Sequence, residues 1–393
     1  MSEPYPLGQA AWQHVKALAA DIGPRPAGSL AERQAFDYVA AQLQAWGYRV
    51  ERSPIRFAPL PRFFALYALG GLALALGGWW AASRPWLVVG LPVFVVALPQ
   101  LARWLIPLRA RTGESQNLLA RVPGAAGRPE LILCAHVDSA RASVLRGRFW
   151  LRLQSQTMFV ALRLAIAIGA LAVLAGLGLN LPPVLVWAVA LAGSVVGGWW
   201  VLTELLNQLG WRGQYSPGAH DNASGVGVVL ALAEHLAHNP PQGTSLGFLF
   251  TGAEETGMHG AEAFAASLTP GDSTGVLNFD MVGAGNALCV VEGDGTLQPL
   301  RTDARLNARL RAVQPGARRL WYTLRSGDFL PFLRRGVRAT SVQTSGSALA
   351  ELGYHTVHDT LDVIEAAALE MTAQAALRAV AESDAWLTGE KAE

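Results

Sequence analysis

Histidine and carboxylate side chains cluster in a few short strings of this sequence, and most of those strings follow apolar runs of strand length. His136 and Asp138 stand just past the run LILCA, where open α/β sheets present ligand-binding residues. An imidazole that binds a metal through one nitrogen needs its other nitrogen held, and a nearby carboxylate does this. Asp221 opens the string DNASGVG ahead of a helix-like stretch. There it suits either a helix N-cap or a carboxylate whose two oxygens bridge two metals. Glu254 and Glu255 follow the apolar run SLGFLF. Burying adjacent like charges is costly unless a cation or a proton compensates, so one of the pair can bind metal while the other takes a proton from water. Asp280 follows GVLNF, and the string YHTVHDT supplies His355 and His358 with Asp359 alongside. Two imidazoles and three carboxylates, with an acid to spare, suit two zinc ions sharing one bridging group.

Elements that could position these groups are legible from periodicity. PELILCAHVD, SLGFLFTGAEE, GVLNFDM and VRATSVQTS are short apolar runs of strand length, and YRVERSPIRF has strand character. Residues 8–46 read as an amphipathic helix, a break at GPRPAGS and a second helix from Ser29 to about Trp46; NASGVGVVLALAEHLAHN and the 362–388 tail are also helix-like. Strands alternating with helices imply a mixed, mostly parallel sheet covered on both faces, a three-layer α/β/α arrangement.

The remaining sequence is far more apolar. Hydrophobic residues make up 51% of the 393 and charged residues only 15%, against a usual charged share of roughly 25%. The excess lies in four stretches, 63–82, 86–102, 158–179 and 183–200, of which the second is short and the third carries Arg163. At about 1.5 Å per residue, some 20 residues cross a hydrocarbon core of about 30 Å. Four transmembrane helices in two hairpins are the economical reading, with a catalytic domain from 1–62, 109–152 and 207–393 interrupted by hairpins at 63–108 and 153–206. The lipid bilayer is therefore an expected partner.

Other classes are disfavoured. The 31 basic and 29 acidic residues leave a net charge of +2 with no Lys/Arg run, so no nucleic-acid partner is expected. Cys134 and Cys289 lie in apolar runs and read as reduced core thiols. The N-terminus is polar and amphipathic, unlike a cleavable signal peptide. Oligomeric state has no signature in the sequence.

Taken in order, H-x-D, DN-x-SG, EE-x-G, N-x-DM-x-G and HT-x-x-DT resemble the co-catalytic zinc exopeptidases of metallopeptidase family twenty-eight, which include bacterial leucyl aminopeptidases and glutamate carboxypeptidase II. The resemblance covers residues 8–57, 112–140 and 210–385. It implies peptide substrates, one zinc held by His136, Asp221 and Asp280, and a second held by Asp221, Glu255 and His355. It further implies that Glu254 is the acid/base, that Asp138 orients His136, and that His355 is preferred to His358. Tyr354 resembles a tyrosine of the glutamate carboxypeptidase branch and would stabilise the oxyanion. The loop with Ser326 and Asp328 would be structural. The apolar insertions depart from the family. A glutaminyl cyclase on the same fold and a non-catalytic membrane scaffold are the alternatives, the latter disfavoured because every ligand type is retained.

Topology adds a constraint. His136 precedes the second hairpin and the other four ligand candidates follow it, so one metal site requires an even number of crossings between them. Arg52, Arg56, Arg62, Arg109, Arg111, Arg141, Arg146, Arg148, Arg152 and Arg212 flank the spans on one side, while Arg84 is alone on the other. The positive-inside rule then gives a multi-pass plasma-membrane protein with a cytoplasmic catalytic domain.

Overall fold

The computed structural model describes residues 6–58, 64–105, 112–122, 130–143, 147–210, 214–241, 245–268, 274–295, 299–322 and 326–381. The chain divides into two compact units, one of residues 1–59, 111–142 and 214–393, the other of residues 60–110 and 143–213.

Along the chain, α1 (Leu7–Lys16) and α2 (Leu30–Ala45) precede β1 (Arg49–Phe57), and α3 (Phe64–Trp80), α4 (Pro85–Val88) and α5 (Leu91–Leu105) follow. Next come β2 (Gly113–Arg121), β3 (Glu130–His136), α6 (Gly147–Gly176), α7 (Pro183–Gly210), α8 (Ser224–His238) and β4 (Ser245–Thr251). Then α9 (His259–Ala265), β5 (Thr274–Phe279), β6 (Ala287–Asp294), β7 (Leu300–Arg301), α10 (Ala304–Val313) and β8 (Arg318–Tyr322) follow. Last are α11 (Phe329–Arg334), β9 (Arg338–Ser345), α12 (Ala348–Gly353) and α13 (Ala366–Ala381). The helical tail read to 388 thus ends, among the described residues, at Ala381, and 382–388 lie outside them.

The first unit is built on one sheet in the order β1-β2-β4-β3-β5-β9-β6-β7, with β8 beside β6. Its centre, β4-β3-β5-β9, is parallel. The flanks are antiparallel where β1 meets β2, β2 meets β4, β9 meets β6 and β6 meets β7. The sheet is therefore mixed, and the mostly parallel expectation describes its core strands. The flanking strands β2, β7 and β8 carry no clean apolar run, and β6 is marked in the sequence only by the apolar run around Cys289.

Alternate residues along a strand face opposite sides, and β3 uses both. Leu131, Leu133 and Ala135 join a core with Phe248, Phe250 and Phe279 beneath α1, α2, α8 and α13. Ile132 and Cys134 join Leu249 and Val276 beneath α9 and α11. Both cysteines are free and buried. Three layers result because each strand of the parallel centre is buried on both faces. His136 pairs with Thr251 across β3 and β4, and Cys134 with Asn278 across β3 and β5, so the carboxyl ends of the three strands are level.

The second unit is helical. Two of its helices contain stretches long and apolar enough to cross a membrane, Gln156–Gly176 and Pro183–Thr203, while the apolar parts of the other pair, Ala68–Trp80 and Pro85–Leu98, are shorter. The stretch read as one span over 86–102 is interrupted at Val89–Gly90, between α4 and α5. Within the unit α3 packs against α7 through small residues: a Cβ on Gly71 would lie 2.5 Å from the Gly197 carbonyl, and one on Gly78 2.7 Å from the Ala190 Cα. Leu, Val and Trp side chains such as Trp86, Val184, Trp187 and Val195 are exposed around it.

Candidate metal centre

Each candidate ligand stands where a level strand end or a braced loop puts it. His136 is the last residue of β3, Asp280 directly follows β5, and the turn bearing Glu254 and Glu255 follows β4. Asp221 lies in the loop before α8, and His355 lies two residues after α12. His136 Nε2 is 3.3 Å from Asp221 Oδ1 and 3.8 Å from Asp280 Oδ1. His355 Nε2 is 3.0 Å from Asp221 Oδ2 and 3.5 Å from Glu255 Oε2. The five residues thus form two trios, His136/Asp221/Asp280 and Asp221/Glu255/His355, each with ligand atoms within 4.8 Å of one another. Asp221 belongs to both and turns a different oxygen to each histidine. His358 is exposed and in neither trio.

A metal fits these residues on grounds of their own chemistry. Glu255 Oε1 and Asp280 Oδ1 are buried without a hydrogen-bond partner, a costly state for a carboxylate oxygen unless a cation faces it. Burial pushes both Glu254 and Glu255 well above the usual carboxylate range, with like charges nearby adding to the effect. Burial would lower His136, but Glu254, Asp138, Asp221 and Asp280 outweigh it and raise it strongly. Asp221 goes the other way despite burial, because both histidines hydrogen-bond to it. This cluster demands positive charge, and nitrogen and oxygen donors of this kind suit zinc.

Backbone hydrogen bonds explain how the turns keep their shape. Asp138 accepts the Glu254 and Glu255 N–H groups at 3.0 and 3.1 Å. Its carboxylate is 3.6 Å from His136 Nδ1, whereas its own carbonyl oxygen is closer, at 3.1 Å. The expected orientation of His136 by residue 138 thus runs mainly through the main chain, and the side chain's firmer grip is on the acidic turn. Ala253, just before that turn, holds a left-handed φ of 55°, a conformation costly for a residue with a Cβ. Asp359 repeats the device on the opposite side, accepting the His220 and Asp221 N–H groups at 2.7 and 3.0 Å. Burial raises Asp359 to about 7, and the charge of Asp221 adds to this.

Asn222 ties two ligand loops together, donating to the Phe279 carbonyl and accepting from Gly225 and Met281. Ser224 accepts from Val282 and donates to the His220 carbonyl. These contacts give DN-x-SG a mechanical meaning. Tyr354 stacks on the His355 ring, centroids 4.0 Å apart at 20°, so the ring read as an oxyanion donor packs against a candidate ligand. Asp328, expected to be structural, is fully buried, accepts the Thr251 hydroxyl and is pushed by burial to about 7.

Two buried residues near the site went unread in the sequence. Glu32 accepts Gly28 N–H and the Ser115 hydroxyl, both at 2.7 Å, and also takes the Ala253 N–H. The Ser29-x-x-Glu32 spacing signals a capping box, and Ser29 does cap Glu32, but that signal is local and says nothing of Ser115 or Ala253. Arg25 sits in the GPRPAGS break, where nothing distinguishes it from a solvated loop arginine.

Comparison with known proteins fits this geometry. Over 93 residues the chain is 39% identical to a probable lipoprotein aminopeptidase, LpqL, of Mycobacterium tuberculosis, a stretch that is 23% of this chain and 18% of that protein. The chain thus spans about a fifth of that curated relative. In fold it resembles a leucine aminopeptidase precursor from Bacteroides thetaiotaomicron, with TM-score 0.56 and 14% identity over 95% of this chain and 97% of that one. It equally resembles the glutaminyl cyclase of the same organism, with TM-score 0.54 and 14% identity over 95% and 97%. Residues 206–380, which hold Asp221, Glu254, Glu255, Asp280 and His355, match the sequence pattern of Peptidase family M28. The fold brings His136 beside these residues, and the match over 206–380 together with the aminopeptidase relatives supports a zinc exopeptidase of the Peptidase family M28 kind.

Proposed function

We propose that this protein is a di-zinc exopeptidase, an aminopeptidase that removes residues from peptide N-termini. The reading rests on Asp221, whose two carboxylate oxygens each face a different histidine within a separate trio of ligand atoms. His136, Asp221 and Asp280 would hold one zinc, and Asp221, Glu255 and His355 the other. Bound zinc supplies Lewis-acid chemistry, polarising the scissile carbonyl and acidifying a water. Glu254, which belongs to neither trio, takes the proton from that water and returns it to the leaving amine. Asp138 keeps the Glu254 main chain fixed, and Tyr354 faces the developing oxyanion from beside His355.

The purified chain should release free amino acid from aminoacyl anilides and short peptides only when zinc is present. Conversion of N-terminal glutaminyl peptides to pyroglutamyl products without hydrolysis would replace this reading with the cyclase one. Failure of both reactions in zinc-loaded protein would leave a scaffold.

We further propose that residues 63–108 and 153–206 form two hairpins in the plasma-membrane bilayer, with the peptidase domain on the cytoplasmic side. The support is the exposed apolar surface around α3, α5, α6 and α7 together with the arginine asymmetry. A single cysteine at position 84 should react with an impermeant maleimide in intact cells. Labelling there only after permeabilisation would reverse the orientation.

A further inference from the structure

Among the described residues Arg25 is the largest fully buried side chain, and none of their carboxylates pairs with its guanidinium. Its guanidinium instead donates to main-chain carbonyls of three separate segments. Nε reaches Val137 at 3.0 Å, Nη1 reaches Leu18, Gly23 and Pro217 at 2.9, 2.8 and 2.8 Å, and Nη2 reaches Gly218 at 2.9 Å.

Two of those segments carry ligands. Val137 lies between His136 and Asp138, and Gly218 lies three residues before Asp221. The backbone adds a second tie, because Ser139 Oγ accepts the Arg25 N–H at 2.9 Å and donates to the Ser216 carbonyl at 2.8 Å. Gly218 has a left-handed φ of 62°, and a Cβ there would lie 2.7 Å from the Ser139 Cβ and 3.0 Å from Arg25 Nη2. The loop is thus seated directly on the guanidinium. Asp359, Asp138 and Asp221 act on the buried charge through space, so the cation offsets part of their mutual repulsion.

We infer that Arg25 is a positioning residue that fixes the His136 turn against the Asp221 loop and so preforms the metal site. The inference rests on the di-zinc reading. Planar geometry is essential to it: a guanidinium spreads its donors over divergent carbonyls, whereas an ammonium offers three donors at one point. Lysine would keep the charge and release at least part of the clamp.

The test compares full-length wild type with Arg25→Lys and Ser139→Ala, measuring zinc affinity by chelator competition, the Co2+ d–d absorption band and thermal melting of metal-free protein. Arg25→Lys should weaken zinc binding at least about tenfold, the range seen when groups behind metal ligands are removed, and should shift or flatten the cobalt band. Ser139→Ala should move both readouts the same way by less. Wild-type affinity and an unchanged band in Arg25→Lys would overturn the inference even if melting fell, because that pattern belongs to a merely structural residue. If Arg25→Lys does not fold, Ser139→Ala decides by the same criterion. Absence of zinc binding by wild type would sink the di-zinc reading itself and this inference with it, a result distinct from equal affinities.

Discussion

Asp138 Oδ1 accepts the backbone N–H of Glu254 at 3.0 Å. A carboxylate from the end of one strand thereby fixes the turn after its neighbour, and the proposed base is aimed by a residue that need not touch substrate. Asp138→Asn replaces one acceptor oxygen with a donor that faces a main-chain N–H. Turnover should fall about 10- to 100-fold with KM little changed, measured as initial rates at saturating zinc. Wild-type kcat in this variant would remove Asp138 from the mechanism.

Glu254 belongs to neither ligand trio. Glu254→Gln should therefore retain wild-type zinc content while kcat falls by about 10²- to 10⁴-fold, the usual contribution of a general base. Metal analysis alongside steady-state kinetics checks both halves. Full activity would reject the assignment.

Asp221 serves both trios and Glu255 serves one. Removing the shared carboxylate with Asp221→Ala should abolish tight binding of both ions, whereas Glu255→Ala should lose only the ion shared with His355. Elemental analysis after dialysis against a weak chelator reads the stoichiometry. Equal losses in the two variants would argue against a bridging role for Asp221.

His14 tests stability away from the metal centre. It is buried beside Tyr38 and Trp46, and burial lowers it from 6.5 to about 4. Between those values the unfolded chain binds a proton that the folded chain rejects. The contribution is fully present above pH 6.5 and is lost as pH falls towards 4. The loss can reach about 3 kcal/mol. In His14→Gln that part of the decline should disappear, seen as the difference between wild-type and variant unfolding curves over this window. Parallel curves would show that His14 does not titrate as its burial implies.

Gly71 tests the helical unit. A Cβ there would lie 2.5 Å from the Gly197 carbonyl, and backbone on both sides leaves nothing flexible to yield. Gly71→Val should separate α3 from α7 and cost at least about 1–3 kcal/mol, the usual range for overpacking. Limited proteolysis in mild detergent should then cut within 60–110 sooner than in wild type. Unchanged cleavage would mean that the two helices need no close approach.

What the sequence determined by itself was chemistry and period. His136, Asp221, Glu254, Glu255, Asp280 and His355 were legible because a buried acid or imidazole beside an apolar run is conspicuous. Strands β3, β4 and β5 were legible because they are apolar on both faces, β9 by its length alone, and the long helices because their apolar runs are unbroken. Tertiary structure decided what depends on distant partners. Glu32 and Arg25 look like ordinary polar residues near a helix start until Ser115, Val137 and Gly218 are folded against them. The edge strands take their conformation from pairing, and Asp138 takes its main work from a turn 116 residues away. Side-chain type and spacing are local properties, whereas the hydrogen bonds that aim those side chains close only when the sheet brings its strand ends level.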